Sequence, residues 1–104
     1  MRISRIQYTL QPDFVEQNKL NIQAVMNEMR ALNNPDVMYA SYVFEDGKTF
    51  MHLVHDSSDG AAGIPANLDS FKHFQAQLKD HFEIPPKVES LELAGSSFLI
   101  PLSS

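Results

Sequence analysis

Polar and apolar residues alternate from Arg2 to Leu10, with Ile6, Tyr8 and Leu10 on one side and Arg5, Gln7 and Thr9 on the other. A period of two is the pattern of a half-buried strand. The period then changes. Val15, Asn18, Ile22, Val25, Met26, Met29 and Leu32 recur at spacings of three and four, which on a helix makes one stripe about 100° wide. Asp13 is placed to cap that helix, and Glu16 completes a capping-box pattern. Leu20 falls off the stripe. Asn33-Asn34-Pro35 stops the helix, because Asn tolerates a left-handed C-terminal position and Pro continues no hydrogen-bond ladder.

Val37 to Glu45 and Lys48 to Asp56 read as two strands around Asp46-Gly47, a hairpin turn in which both residues are expected at positive φ. A two-residue loop sets the register, opposing Val43 to Phe50, Ser41 to His52 and Tyr39 to Val54. One hairpin face then carries Tyr39, Ser41, Val43, Phe50, His52 and Val54. The other carries Met38, Ala40, Tyr42, Phe44, Thr49, Met51, Leu53 and His55. Residues 57–63, rich in Ser, Asp, Gly and Ala, form a loop that could act as a lid over the cleft between sheet and helices. A second helix is expected from near Pro65 to Phe82, with Leu68, Phe71, Phe74, Gln75, Leu78 and Phe82 on one face and Pro85-Pro86 ending it. Val88 to Leu93 is the last strand.

The order β-α-β-β-α-β is the split βαβ pattern, an α+β ferredoxin-like sandwich with two helices on one face of a four-stranded antiparallel sheet. Residues 1–104 are read as a single domain of this kind, with 95–104 an apolar tail. Two helices cover only one sheet face, and both faces of the hairpin are apolar. A homodimer through the exposed sheet face covers the other; alternatively the tail, with Phe98, Leu99, Ile100 and Leu102, folds back over it.

Composition narrows the partners. The chain has 43% hydrophobic and 20% charged residues, ordinary for a globular domain. Its net charge is −5, from 8 basic and 13 acidic side chains, with no basic cluster. Neither nucleic acid nor an anionic membrane surface is an expected partner. Cysteine is absent, which excludes disulfides and thiol chemistry. No apolar run approaches the roughly 18 residues of a membrane span, and Met1 to Leu10 holds no signal-peptide core, so the expected location is cytoplasmic.

Lys48-Thr49-Phe50-Met51-His52-Leu53-Val54, the acidic, small-residue loop after it, and Leu68-Asp69-Ser70-Phe71-Lys72-His73-Phe74 carry a resemblance. Over the element order from Arg2 to Leu93, the chain resembles the dimeric α/β-barrel superfamily, most of all its antibiotic-biosynthesis monooxygenase (ABM) type. The resemblance implies a homodimer and oxidation of a small aromatic, of quinol or polyketide type, without metal or cofactor. The superfamily also includes haem-degrading enzymes, small isomerases and proteins with no known chemistry, and fold alone does not choose among them. The family often has a strand Glu, a Trp near that strand's end and a His at the start of the second helix. Here Val54 or Asp56 stands near the first two, Leu68 or Asp69 near the third, and Trp is absent.

Candidate chemistry centres on His52. Its expected cross-strand neighbour is Ser41, with Tyr39 on the same face and Val43, Phe50 and Val54 around them. A His in such a setting can act as a base toward a phenolic substrate. Equally, it can be a buried His satisfied by Ser41. The substrate-binding candidates are Tyr39, Ser41, Tyr8 and Phe50. His55 is the counterpart on the other face. His52 and His55 are three apart on a strand, so they point oppositely and share no metal. His73 and His81 lie roughly 12 Å apart along a helix, also too far for one ion. Two functions follow: an oxygenase with His52 as base, or a non-catalytic module of the same fold that binds a small apolar ligand or only dimerises. Convergence of two or more of Tyr8, Gln7, Tyr39, Ser41 and His52 on one pocket separates them.

Overall fold

The computed structural model describes residues 2–57 and 68–97. The strands are β1 (Arg2–Leu10), β2 (Val37–Val43), β3 (Thr49–Asp56) and β4 (Phe82–Leu91), and the helices are α1 (Val15–Leu32) and α2 (Asp69–Leu78). They form one four-stranded sheet in the order β2-β3-β1-β4, every neighbouring pair antiparallel. This is the expected ferredoxin-like α+β arrangement.

The hairpin register is the expected one, with Ser41 opposite His52 and Val43 opposite Phe50. The turn that sets it differs. Gly47 alone has positive φ, at 76°, and its N–H donates to the Phe44 carbonyl. Asp46 instead uses its side chain: Oδ1 accepts from the Lys48 and Thr49 amides, and Oδ2 from the Thr49 hydroxyl. The Thr49 hydroxyl foremost, then the two amides, hold the Asp46 carboxyl below its ordinary range. An Asp that accepts backbone bonds on its side chain has no need of the left-handed region.

Three further boundaries depart from expectation. Asp13 caps nothing: Pro12–Phe14 forms a 3-10 turn, and α1 begins behind it without a side-chain cap. Pro12, with its fixed φ, starts that turn before the helix, and Glu16 pairs with Lys19 at 3.4 Å instead of closing a capping box. Leu32, like Leu20, is exposed, so the buried stripe stops short of the helix end. At that end Asn33 does take the left-handed conformation, with φ 50°. α2 stops at Leu78, and Phe82 belongs to β4, which runs through Pro85-Pro86. β4 is an edge strand, and its pairing with β1 shifts register between Gln7 and Leu10. Edges and bulges are where a sheet accepts residues that lack an N–H.

Tyr8, Leu10, Phe14, Val15, Ile22, Val25, Phe50, Phe74 and Leu78 form the core, so the hairpin face that carries His52 is the one beneath the helices. The helices are tied to each other as well. Asn21 Nδ2 donates to Gln77 Oε1 at 2.8 Å. Glu28 Oε1 accepts from the Ser70 hydroxyl at 2.7 Å and the Ser70 amide at 3.3 Å. Glu28 thereby serves, from α1, the unpaired donors of the first turn of α2.

The opposite sheet face is of two kinds. Its β2 side is apolar, with Met38 and Tyr42 exposed. On the β1–β4 side Arg5 donates to Glu89 at 2.9 Å, to Met51 Sδ at 3.2 Å and to Gln7. The tail from Phe98 onward and residues 58–67 of the expected loop and helix start lie outside the described residues.

Candidate active site

The site is built on three strands and one helix turn. β1 contributes Tyr8, β2 contributes Tyr39 and Ser41, β3 contributes His52, and α1 contributes Asn18. Strand alternation turns Tyr8, Tyr39, Ser41 and His52 to the helix side, and the antiparallel registers bring them level.

His52 is 2% exposed, and both of its ring nitrogens are engaged. Nδ1 lies 2.7 Å from Ser41 Oγ and 3.0 Å from Tyr39 Oη; Nε2 lies 2.7 Å from Tyr8 Oη. Tyr8 Oη in turn accepts from Asn18 Nδ2 at 3.0 Å. Asn18 is fully buried, and its Oδ1 has no partner among the described residues. The rings are packed as well: Tyr8 stacks on Phe50 at 5.6 Å and on His52 at 5.4 Å, and Tyr39 meets His52 edge-on at 5.7 Å.

Burial governs the protonation states. It pushes His52 down from 6.5 to about 4, so the ring is neutral at pH 7. It pushes Tyr8 and Tyr39 well above the ordinary phenol range, and for Tyr8 the bond from Asn18 only partly offsets this. The result is a neutral chain in an apolar setting, with both phenols protonated and the imidazole holding a single proton.

These groups border a cavity of about 280 Å³ between the sheet and α2. Tyr8, Tyr39 and His52 supply its polar wall. Ile6, Phe71, Phe74, Leu78, Phe82, Pro86 and Val88 supply the apolar one, with Gln75 on α2 and Lys79 just past its end. A second cavity of about 270 Å³ lies against the end of α1, lined by Met26, Met29, Arg30, Asn33, Asn34, Val37 and Tyr39. Tyr39 therefore borders both.

Three of the five residues named from the sequence meet at one cavity: Tyr8, Tyr39 and His52. Ser41 sits behind His52 and reaches the cavity only through it. Gln7 projects from the opposite sheet face. Phe50, a candidate substrate contact, is 0% exposed and lies behind Tyr8, where it holds that ring in place. His55 is on the far face, its Nδ1 buried and without a partner among the described residues. His73 is exposed, and His81 stacks flat on Phe14 at 3.9 Å. Asn18 was missed as a site residue. The available signal was a polar residue in the middle of an apolar stripe, which implies a buried hydrogen-bond partner.

No protein-family model matches the sequence, and no curated protein matches it. Solved structures do match. A crystal structure of an antibiotic biosynthesis monooxygenase superposes with TM-score 0.74 at 12% identity, covering 91% of this chain and 100% of that one. A candidate antibiotic biosynthesis monooxygenase from Bacteroides thetaiotaomicron gives TM-score 0.80 at 10% identity, over 96% and 95%. A protein of unknown function from Nitrosomonas europaea gives 0.71 at 12% identity, over 94% of both chains. The chain therefore has the ferredoxin-like fold shared by proteins of the ABM type. That fold also carries proteins with no assigned chemistry, so function has to be argued from the site.

Proposed function

We propose that this is a cofactor-independent, monooxygenase-like protein acting on a small aromatic of quinol or polyketide type held in the sheet–helix cavity. The observation that carries the reading is the convergence of Tyr8, Tyr39 and His52 on one cavity whose other walls, apart from Gln75 and Lys79, are apolar. Apolar walls hold a ring, and the few polar groups orient its oxygen.

The chemistry asks little of the protein. An acidic C–H or O–H of the substrate gives its proton to the tyrosine–histidine chain. The substrate anion then passes one electron to O₂. Recombination gives a peroxide, whose O–O bond breaks with loss of water. A CH₂ group and O₂ become C=O and H₂O, with no external reductant. Because both His52 nitrogens are occupied, the substrate proton reaches it through a tyrosine hydroxyl that passes its own proton on. The step is affordable. A phenol near pKa 10 and an imidazole near 4 differ by roughly 8 kcal/mol. Attraction between the resulting anion and imidazolium, across the intervening hydroxyl, returns about 3 kcal/mol. The remainder fits within the roughly 16 kcal/mol barrier of an enzyme turning over about ten times a second.

Oxygen uptake with a panel of naphthoquinols and anthrones tests this. Wild-type protein accelerates uptake, and His52→Gln abolishes the acceleration. Saturable binding without any acceleration refutes the oxygenase reading and leaves the non-catalytic ligand-binding one, which the fully satisfied His52 favours.

The partner in this reading is a second copy. Met38 and Tyr42 on β2 and Leu91 on β4 are exposed on the sheet face away from the helices, where sheet-on-sheet packing buries them. Sedimentation equilibrium returns twice the 11.7 kDa chain mass if this is right; the single-chain mass refutes it. A cytoplasmic location, the expectation from the sequence, is part of the same proposal. No helix among the described residues is long and apolar enough to cross a membrane.

A further inference from the structure

The direction of the hydrogen-bond chain decides what the cavity offers a ligand. A neutral imidazole has one N–H and one bare nitrogen. Tyr8 Oη accepts from Asn18 Nδ2; were His52 Nε2 a second donor to it, the Tyr8 hydrogen would have no acceptor among the described residues, so that hydrogen is directed at Nε2, 2.7 Å away. Nε2 is then the bare nitrogen and Nδ1 carries the proton. Turning the Asn18 amide over would reverse this. It would also place the amide's two N–H donors where the buried, unpartnered Oδ1 now lies, and buried orphan donors are rarer than under-satisfied acceptors.

With the proton on Nδ1, the oxygens of Ser41 at 2.7 Å and Tyr39 at 3.0 Å are acceptors, and neither hydroxyl donates back to the ring. Tyr39, unlike Ser41, lies on the cavity wall. Its hydroxyl has no other partner among the described residues. We infer that Asn18 is a positioning residue that fixes His52 as the Nδ1–H tautomer, so that Tyr39 presents its O–H to an acceptor oxygen on the cavity's ligand. The ligand class is a planar ring bearing a carbonyl or phenolate oxygen. The same polarity makes Tyr8 the hydroxyl that relays a proton to His52. In the opposite tautomer Nδ1 would be an acceptor for which Ser41 and Tyr39 compete, and the Tyr39 hydrogen would no longer be reserved for the cavity.

The ligand half of this inference rests on the proposed function; the tautomer half does not. Long-range ¹H–¹⁵N correlation on the ligand-free, ¹⁵N-labelled protein reads the tautomer directly. The expected spectrum shows a pyrrole-type Nδ1 and a pyridine-type Nε2 for His52. The reverse pattern overturns the inference, whatever the oxygen-uptake result. Folded Asn18→Leu protein is expected to show a mixture of tautomers; an unchanged Nδ1–H form would remove Asn18 from the role. Should that variant not fold, the wild-type spectrum and the binding comparison still decide.

For binding, the probes are naphthoquinone, which carries acceptor oxygens, and naphthalene, which carries none. Tyr39→Phe is expected to weaken naphthoquinone about tenfold, the scale of one hydrogen bond, and to leave naphthalene unchanged. Equal effects on both probes, or none on either, overturn the ligand assignment. Failure of oxygen uptake with these results intact would refute the oxidation chemistry and leave the recognition standing.

Discussion

Acidification should destabilise this protein through His52 in a calculable way. The ring is buried and neutral, with its pKa lowered from 6.5 to about 4 by burial. Between those values the unfolded chain binds a proton at this side chain and the folded protein does not, so stability falls as pH falls. The contribution is fully present above pH 6.5 and is lost through the window from about 6.5 to 4. Across the whole window the loss is about 3 kcal/mol; at pH 5 it is already about 2 kcal/mol. That is a large share of the stability of a small domain. Urea unfolding at half-unit intervals from pH 7.5 to 4.5 measures it. With a denaturant slope of about 1–2 kcal/mol/M, the midpoint should fall by roughly 1–2 M between pH 7 and pH 5. Other groups contribute to the pH dependence of both proteins, so the decisive quantity is the difference from His52→Gln, whose side chain has no proton to gain. The variant should be less stable at pH 7 and should lose less on acidification. Parallel slopes for the two proteins, or an NMR titration of His52 with a midpoint near 6.5 in the folded protein, would refute the reasoning.

Tyr8→Phe leaves His52 Nε2 and Asn18 Nδ2 without their partner; chemical denaturation should show a loss of about 1–3 kcal/mol. Glu28→Ala removes the acceptor for the first turn of α2. The expected cost is about 1 kcal/mol, with faster amide exchange at Ser70. Gly47 has φ +76° and nothing within 4 Å of an added Cβ, so Gly47→Ala should cost only the left-handed conformational penalty, about 1–2 kcal/mol, and Gly47→Asn less. Phe74→Ala should cost about 3–5 kcal/mol, since Phe74 is buried in the core and also meets His52 at 5.6 Å.

The sequence carried most of the fold because its signals were local. Alternation in Arg2–Leu10 and around Asp46-Gly47, and the three-and-four spacing between them, each reflect which side of one element is buried. Together they sufficed for the element order and the hairpin register. The alignment of Ser41 with His52 follows from that register, since a strand's side chains have a period of two and the turn fixes the offset. Local signals misplaced the ends. Pro12 made a 3-10 turn that left Asp13 idle as a cap. Pro85-Pro86 were absorbed into a bulged edge strand instead of ending a helix, because being at an edge is a property of the whole sheet.

The geometry of the candidate site needed contacts between elements far apart in the chain. Nothing local to β3 indicates that Tyr8, 44 residues away, closes on Nε2, or that Asn18 lies above Tyr8. Those pairings exist because β1 enters the sheet between β3 and β4 and α1 crosses over it. Which hairpin face the helices cover was decided the same way. Once Ile6, Tyr8 and Leu10 turned toward α1 and α2, the antiparallel pairing carried His52 beneath the helices and left His55 on the other side. The depressed pKa of His52 follows from that enclosure, because burial is a property of everything packed around a group and is not encoded at its own position.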